Sequence, residues 1–216
     1  MVSWGTPIRR RAPEEIDLSM LHSRKRRLPP RERILTAAAD LFRQHGIRRV
    51  GVEAIAVAAG TNKMTLYRHF VSKDDLVVEW LRGLVDQHNA IWSELADRNP
   101  GDARAQLVEW FKRMAKTMSD MDRHGCPFAN SLAELHDSNH PARRLIEEFK
   151  GRGRERFVRL CRQAGVKTPE VVADELFFLF EGAQLSAQSL GQKGIGQRVF
   201  RIAAGLLEVG SLPEAR

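Results

Sequence analysis

Apolar residues recur at helical spacing from about residue 30 onward, and the period-2 alternation of strands is missing. The first stretch predicts a helix that starts at Pro29-Pro30 and ends at Gly46, with Ile34, Leu35, Ala38, Leu41 and Phe42 on one face. Two short helices follow, from about Val52 to Ala59 and from about Lys63 to Phe70, separated by Gly60. Ser72 reads as the N-cap of a long helix, with Asp74 and Asp75 complementing its dipole. Its apolar face runs through Val77, Trp80, Leu84, His88, Ile91, Trp92 and Leu95 to about Arg98, where Asn99-Pro100-Gly101 breaks it.

The remainder continues in the same manner. Leu107, Phe111, Met114, Met118 and Met121 alternate at spacings of four and three, an amphipathic helix. His124-Gly125-Cys126-Pro127 turns the chain into a shorter helix from Phe128 to Leu135. After Asn139-His140-Pro141 a long charged helix carries Leu145, Ile146, Phe149, Phe157, Leu160 and Cys161 to Gly165. Thr168-Pro169-Glu170 opens a helix to Leu190 that is apolar on more than one side. A loop from Gly191 to Gly196 leads to a last helix marked by Val199, Ile202, Ala203, Leu206 and Leu207. The fold class is therefore all-α, about nine helices, preceded by a flexible basic arm over residues 1–27.

Composition narrows the class. The chain has 216 residues, 43% apolar and 29% charged, an ordinary globular mixture. Its densest apolar run, Leu176 to Phe180, is closed by Glu175 and Glu181, so no membrane span is expected. The N-terminal region lacks the apolar core of a secretory signal, and Cys126 and Cys161 alone make no disulfide framework. A cytoplasmic protein, nucleoid-associated when on DNA, is the expectation.

Charge is placed unevenly. The net formal charge is +8, yet Arg24 to Lys73 carries twelve basic residues against Glu32, Asp40 and Glu53, while both flanks are nearly neutral. A basic segment on a neutral body is the footprint of a polyanion-binding module, with a merely solvated basic face as the alternative. Within it, Glu53 to Ser72 reads as a helix-turn-helix. Ala54, Ala56, Ala58 and Ala59 let the helices cross closely, and Gly60 permits the turn. Leu66 and Phe70 face inward, leaving Asn62, Lys63, Met64, Thr65, Arg68 and His69 to project outward. Lysine and apolar atoms near the helix start can read base edges, while Thr65, Tyr67, His69 and Lys73 can donate to phosphates.

The run from Ile34 to Leu76 resembles the DNA-binding domain of TetR-type (tetracycline-repressor-like) bacterial transcription regulators. The match rests on Ala38-Ala39-Asp40-Leu41-Phe42 with Gly46, Ile55-Ala56 with Ala59-Gly60, Thr65-Leu66-Tyr67 with His69-Phe70, and Ser72-Lys73-Asp74-Asp75-Leu76, in that order. The resemblance places Lys63, Thr65, Tyr67, His69 and Lys73 on DNA. Met64 stands where a small residue is usual, and Asn62 where serine or threonine is common. It implies a helix-turn-helix domain over residues 28–88 and an effector-binding and dimerisation domain over 89–216. It further implies a repressor that leaves a near-palindromic double-stranded operator when a small apolar or amphipathic effector binds. The expected cavity has walls of Trp110, Met114, Met118, Phe128, Leu132 and Phe177, with Asn130 or Glu134 meeting one polar group. A homodimer through the last two helices is expected from their surplus apolar face and from the resemblance.

Other readings fare worse. His124, Cys126, His136 and His140 invite a metal, but the spacing is poor and His136 and His140 fall at a helix end. No Gly-rich phosphate loop, metal-spaced carboxylate cluster or triad pattern is present, so no enzyme, cofactor or metal is expected. A DNA-binding protein without an effector is the nearer alternative, and a helical enzyme the more distant one.

Overall fold

The structure, a computed structural model, describes residues 28–120, 125–191 and 193–209. The arm over residues 1–27, and with it Met121 and His124, lies outside the described residues. Among the described residues there are nine α-helices and no β-strand: α1 Pro30–His45, α2 Val52–Ala58, α3 Lys63–His69, α4 Lys73–Arg98, α5 Ala103–Asp120, α6 Pro127–Glu134, α7 Pro141–Gln163, α8 Pro169–Leu190 and α9 Ile195–Val209. Most expected ends shift by one or two residues. Phe70, placed inside a helix by its spacing, is instead the extended C-cap of α3, and α9 starts inside the predicted loop.

Local chemistry explains where the helices start. Pro30, Pro127, Pro141 and Pro169 occupy first turns, where a missing N–H costs nothing. The Ser72 hydroxyl accepts from Asp75 N at 3.0 Å and Asp102 Oδ1 accepts from Ala105 N at 2.8 Å, capping α4 and α5. His140 Nδ1 accepts from Ala142 N at 3.1 Å, and its Nε2 lies 3.4 Å from Asp74 Oδ1. His140 therefore caps α7 and leans on the first turn of α4, whereas His136 is exposed.

Burial divides into two cores. The head core holds Ile34, Phe42, Ile55, Leu66 and Phe70 from α1 to α3 and its border, and Leu76 to Leu81 from α4. The body core holds Trp92 and Leu95 from the far end of α4, with Trp110, Phe111, Phe157, Leu176, Val199 and Leu207 from the helices around it. On α4 the buried head-core set ends at Leu81 and the buried body-core set starts at Trp92. Cys126, Phe128, Leu135, Ala142 and Ile146 also belong to the head core, so α6 and the start of α7 pack with the head.

A carboxylate reinforces that attachment. The N–H groups of Ile47 and Arg48, in the turn after α1, donate to Glu134 Oε1 at 3.1 Å and Oε2 at 2.7 Å. Gly46 opens the turn at φ 81° and ψ 160°, a region open in practice only to glycine. A Cβ there would stand 2.7 Å from Glu134 Oε1. Gly46→Ala is therefore expected to cost about 1–3 kcal/mol from backbone strain alone, read as a lower urea midpoint at unchanged slope. A midpoint equal to that of the native chain contradicts this geometry.

Candidate nucleic-acid interface and ligand cavity

Gly60 turns the chain between α2 and α3 at φ 63°, and Thr61 N closes the turn on Ala56 O at 2.9 Å. Leu66 and Phe70, both essentially inaccessible, anchor α3 to the head core. That anchoring decides which face of α3 is free: Asn62, Lys63, Met64, Tyr67, Arg68 and His69 are exposed, and Thr65 and Lys73 half-buried. Asn62 has a further role, because its Oδ1 accepts from Thr65 N at 2.9 Å and caps the helix. All eight residues expected at DNA thus fall on α3, its cap and the first residue of α4.

The interface also contains residues that sequence reasoning passed over. Lys63 Nζ lies 2.6 Å from Glu53 Oε1 and 6.0 Å from the centre of the Tyr67 ring. The hydrogen bond between them lowers the Glu53 pKa and raises that of Lys63; both side chains are exposed. Their meeting depends on the crossing of α2 and α3, which ten residues of sequence separation do not reveal. Val57 of α2 and Val71, just after α3, are apolar side chains 78% and 89% exposed. Val57 was legible, since burying Ile55, Ala56 and Ala59 turns it outward. Behind α3, Arg31 lies 5.0 Å over the Phe70 ring and 2.6 Å from Glu79, tying α1 to α4.

The second feature is a cavity of about 1070 Å³ in the body, large enough for a drug-sized molecule. Leu84, Val85, His88, Ile91 and Trp92 of α4 form one side, Trp110, Met114 and Met118 of α5 another, and α7, α8 and the start of α6 most of the rest. Trp110 stacks on Trp92 at 5.2 Å and meets Phe157 and Phe180 edge-on at 5.0 and 4.7 Å, a rigid aromatic wall.

Of the expected lining, Trp110, Met114, Met118, Phe128 and Phe177 face this cavity, and Asn130, Leu132 and Glu134 do not. Leu132 packs against the head core. Asn130 and Glu134 border a void of only about 10 Å³ between α6 and the head, because α6 turns that face toward Phe42 and Ile47. The polar groups at the cavity include instead His88, Lys150, Arg156, Glu181 and Gln184, with Arg43, Arg82, Asp86, Glu148 and Arg152 also in the lining. His88 lay within an apolar stripe in the sequence, and Lys150, Arg156, Glu181 and Gln184 were masked by the high charge and mixed faces of α7 and α8.

Burial sets the chemistry of these groups. His88 sits edge-on to Phe149 at 5.3 Å and Phe128 at 6.2 Å. Desolvation pushes its pKa down, with Lys150 and Arg156 adding in the same direction, so it is neutral at pH 7. Lys150 and Glu181 form an ion pair across α7 and α8. Both cysteines are buried, and burial pushes the Cys161 thiol up to about 11, which removes it as a nucleophile.

An all-helical chain with a basic helix-turn-helix head and a hollow helical body has the layout of a one-component regulator. Residues 34–80 match the model of the bacterial regulatory proteins of the tetR family. A putative TetR-type regulator from Streptomyces avermitilis is 30% identical with a TM-score of 0.70, over 85% of this chain and 98% of that one. A TetR-family regulator from Streptomyces coelicolor superposes with a TM-score of 0.80 at 25% identity, over 85% and 96% of the two chains. The chain belongs to the TetR family of bacterial regulatory proteins. The transcriptional repressor KstR2 of Rhodococcus jostii is 46% identical over 77 residues, 36% of this chain and 37% of its own length. The match therefore spans only about a third of the named repressors.

The depressed His88 pKa has a consequence for stability. The unfolded chain takes up this proton at about pH 6.5, while the folded chain resists it. The histidine's contribution is whole above that pH and is lost as pH falls through the lower folded value. Urea midpoints measured from pH 7.5 to 5 should fall, and His88→Gln should flatten that fall. An equal slope in the variant contradicts the burial of a neutral imidazole.

Proposed function

We propose that the protein is a sequence-specific DNA-binding transcription regulator, a repressor released from a near-palindromic operator by a small apolar or amphipathic effector. The observation that carries this reading is the joint presence of an exposed, cationic α3 and a large cavity bordered by the same helix, α4, that leaves α3. In this reading α3 enters the major groove, with Lys63 and Met64 near base edges and Thr65, Tyr67, His69 and Lys73 on phosphates. Arg68 adds positive charge, and Asn62 holds the helix start in place. The family membership and the repressor function of the matched relatives support it.

Two copies are needed to read a palindrome, and α8 supports that assembly. Val172, Leu176 and Ala183 face the body core, while Val171, Phe178 and Leu185, seven residues apart, stay more than half exposed. Ile202 of α9 adds to the uncovered face, whereas Val199 is buried within its own chain. A homodimer formed through α8 and α9 covers these side chains and sets two α3 helices about 34–36 Å apart.

Selection of a binding duplex from random DNA, followed by anisotropy titrations over a range of salt, tests the proposal. Lys63→Ala should relax base preference at one position of each half-site, at a cost of about 1–3 kcal/mol. Lys73→Ala should weaken all duplexes alike and reduce the salt slope by about one. Selection that returns no preferred sequence contradicts the regulator reading. Phe178→Glu with Leu185→Glu should leave a monomer in sedimentation, and a persisting dimer contradicts the proposed interface.

A further inference from the structure

Titratable groups from three helices line the cavity, among them His88 from α4, Lys150 and Arg156 from α7, and Glu181 from α8. Lys150 and Arg156 both lower the pKa of His88, and all three residues line the cavity. Their partners are unequal. Lys150 is paired with Glu181, and at the rim Arg152 reaches Glu148 at 3.2 Å and Arg82 reaches Glu79 at 2.9 Å.

Arg156 forms no ion pair with a carboxylate among the described residues; its guanidinium lies 5.2 Å over the Trp92 ring and donates to Asn89 Oδ1 at 3.3 Å. Burial and neighbouring Arg159 push its pKa down, the mark of a cation without a counter-charge. Arginine does not shed its proton in response, so a half-buried positive charge persists beside an aromatic wall. Gln184, one turn beyond Glu181 and 8% exposed, has an amide nitrogen without a partner among the described residues.

We infer that the cavity binds an apolar molecule ending in a single carboxylate, held by Arg156 with Lys150 beside it, its apolar body lying against Trp92, Trp110, Met114 and Phe180. This rests on the effector reading above and names the class of effector. A carboxylate gives the guanidinium a two-pronged partner and neutralises a half-buried cation that has no carboxylate partner among the described residues. An ammonium group beside Arg156 is repelled by it and by Lys150, whose partner Glu181 is already engaged, and a neutral molecule leaves the guanidinium as it is. A phosphate ester brings a second negative charge toward Glu181.

The test uses the full chain and two matched probe series, dodecanoic acid, 1-dodecanol and dodecylamine, then 2-naphthylacetic acid, 2-naphthaleneethanol and 2-(2-naphthyl)ethylamine. Calorimetric titration at pH 7.5, below micelle formation, is expected to show at least one acid binding about tenfold or more tighter than its alcohol, with the amine weakest. Arg156→Met keeps a stem over Trp92 and should erase the acid's advantage without changing the alcohol; Arg156→Lys should restore part of it. If alcohols bind as tightly as acids, or Arg156→Met weakens both alike, the carboxylate inference falls and the effector cavity stands. If no member of either series binds or raises the melting temperature, both fall. The comparison of head groups on the native chain decides even where Arg156→Met does not fold.

Discussion

Two helices, α4 and α7, contribute to both hydrophobic cores, and the architecture depends most on α4, the one that leaves α3. α4 has 26 residues, about 39 Å of continuous rod. Its first two turns bury Leu76, Val77, Trp80 and Leu81 with the recognition helix, and its far end buries Trp92 and Leu95 with the body. Trp80 lies against Phe42 of α1 at 5.4 Å, and Trp92 against Trp110 of α5 at 5.2 Å. Close-packed interiors transmit displacement and absorb little of it. Displacing the middle of α4, where Leu84, Val85, His88 and Ile91 face the cavity, therefore displaces α3 unless one of the two cores yields.

The Glu134 carboxylate supplies a second connection. It accepts two backbone N–H groups of the head from α6, and α6 also carries Phe128 to the cavity. Charge-assisted bonds of this kind are stronger than neutral ones. In the proposed mechanism an effector therefore meets two linked elements, α4 and α6. How far it shifts the head is bounded by its differential affinity for the two arrangements, commonly 5- to 150-fold, about 1–3 kcal/mol.

The sequence was most informative where function and periodicity coincide. The helix count, the capping of α4 by Ser72, the burial of Leu66 and Phe70 and the outward set on α3 all follow from apolar spacing and from the turn at Gly60. Geometry that depends on how helices cross was not legible. The Glu53–Lys63 pair joins two helices, and the α6 face with Asn130 and Glu134 packs on the head, although its apolar neighbours gave no direction. The polar wall of the cavity was hidden for a further reason. Lys150, Arg156 and Glu181 sit in helices rich in charges, most of which are solvated surface pairs such as Arg154–Asp174 at 2.5 Å. Which few of them face inward is decided by tertiary packing.

Linkage offers the most direct test of the shared helix as the coupling element. The affinity of a cavity ligand is measured by calorimetry on the free protein and on the protein saturated with its selected duplex, and the duplex affinity is measured with and without that ligand. The two ratios must agree if both sites act through one equilibrium. The expected result is weaker ligand binding on DNA, by the same factor by which the ligand weakens DNA binding. Equal ligand affinity on free and DNA-bound protein would show that the cavity and the recognition helix are independent, and would contradict the coupling through α4.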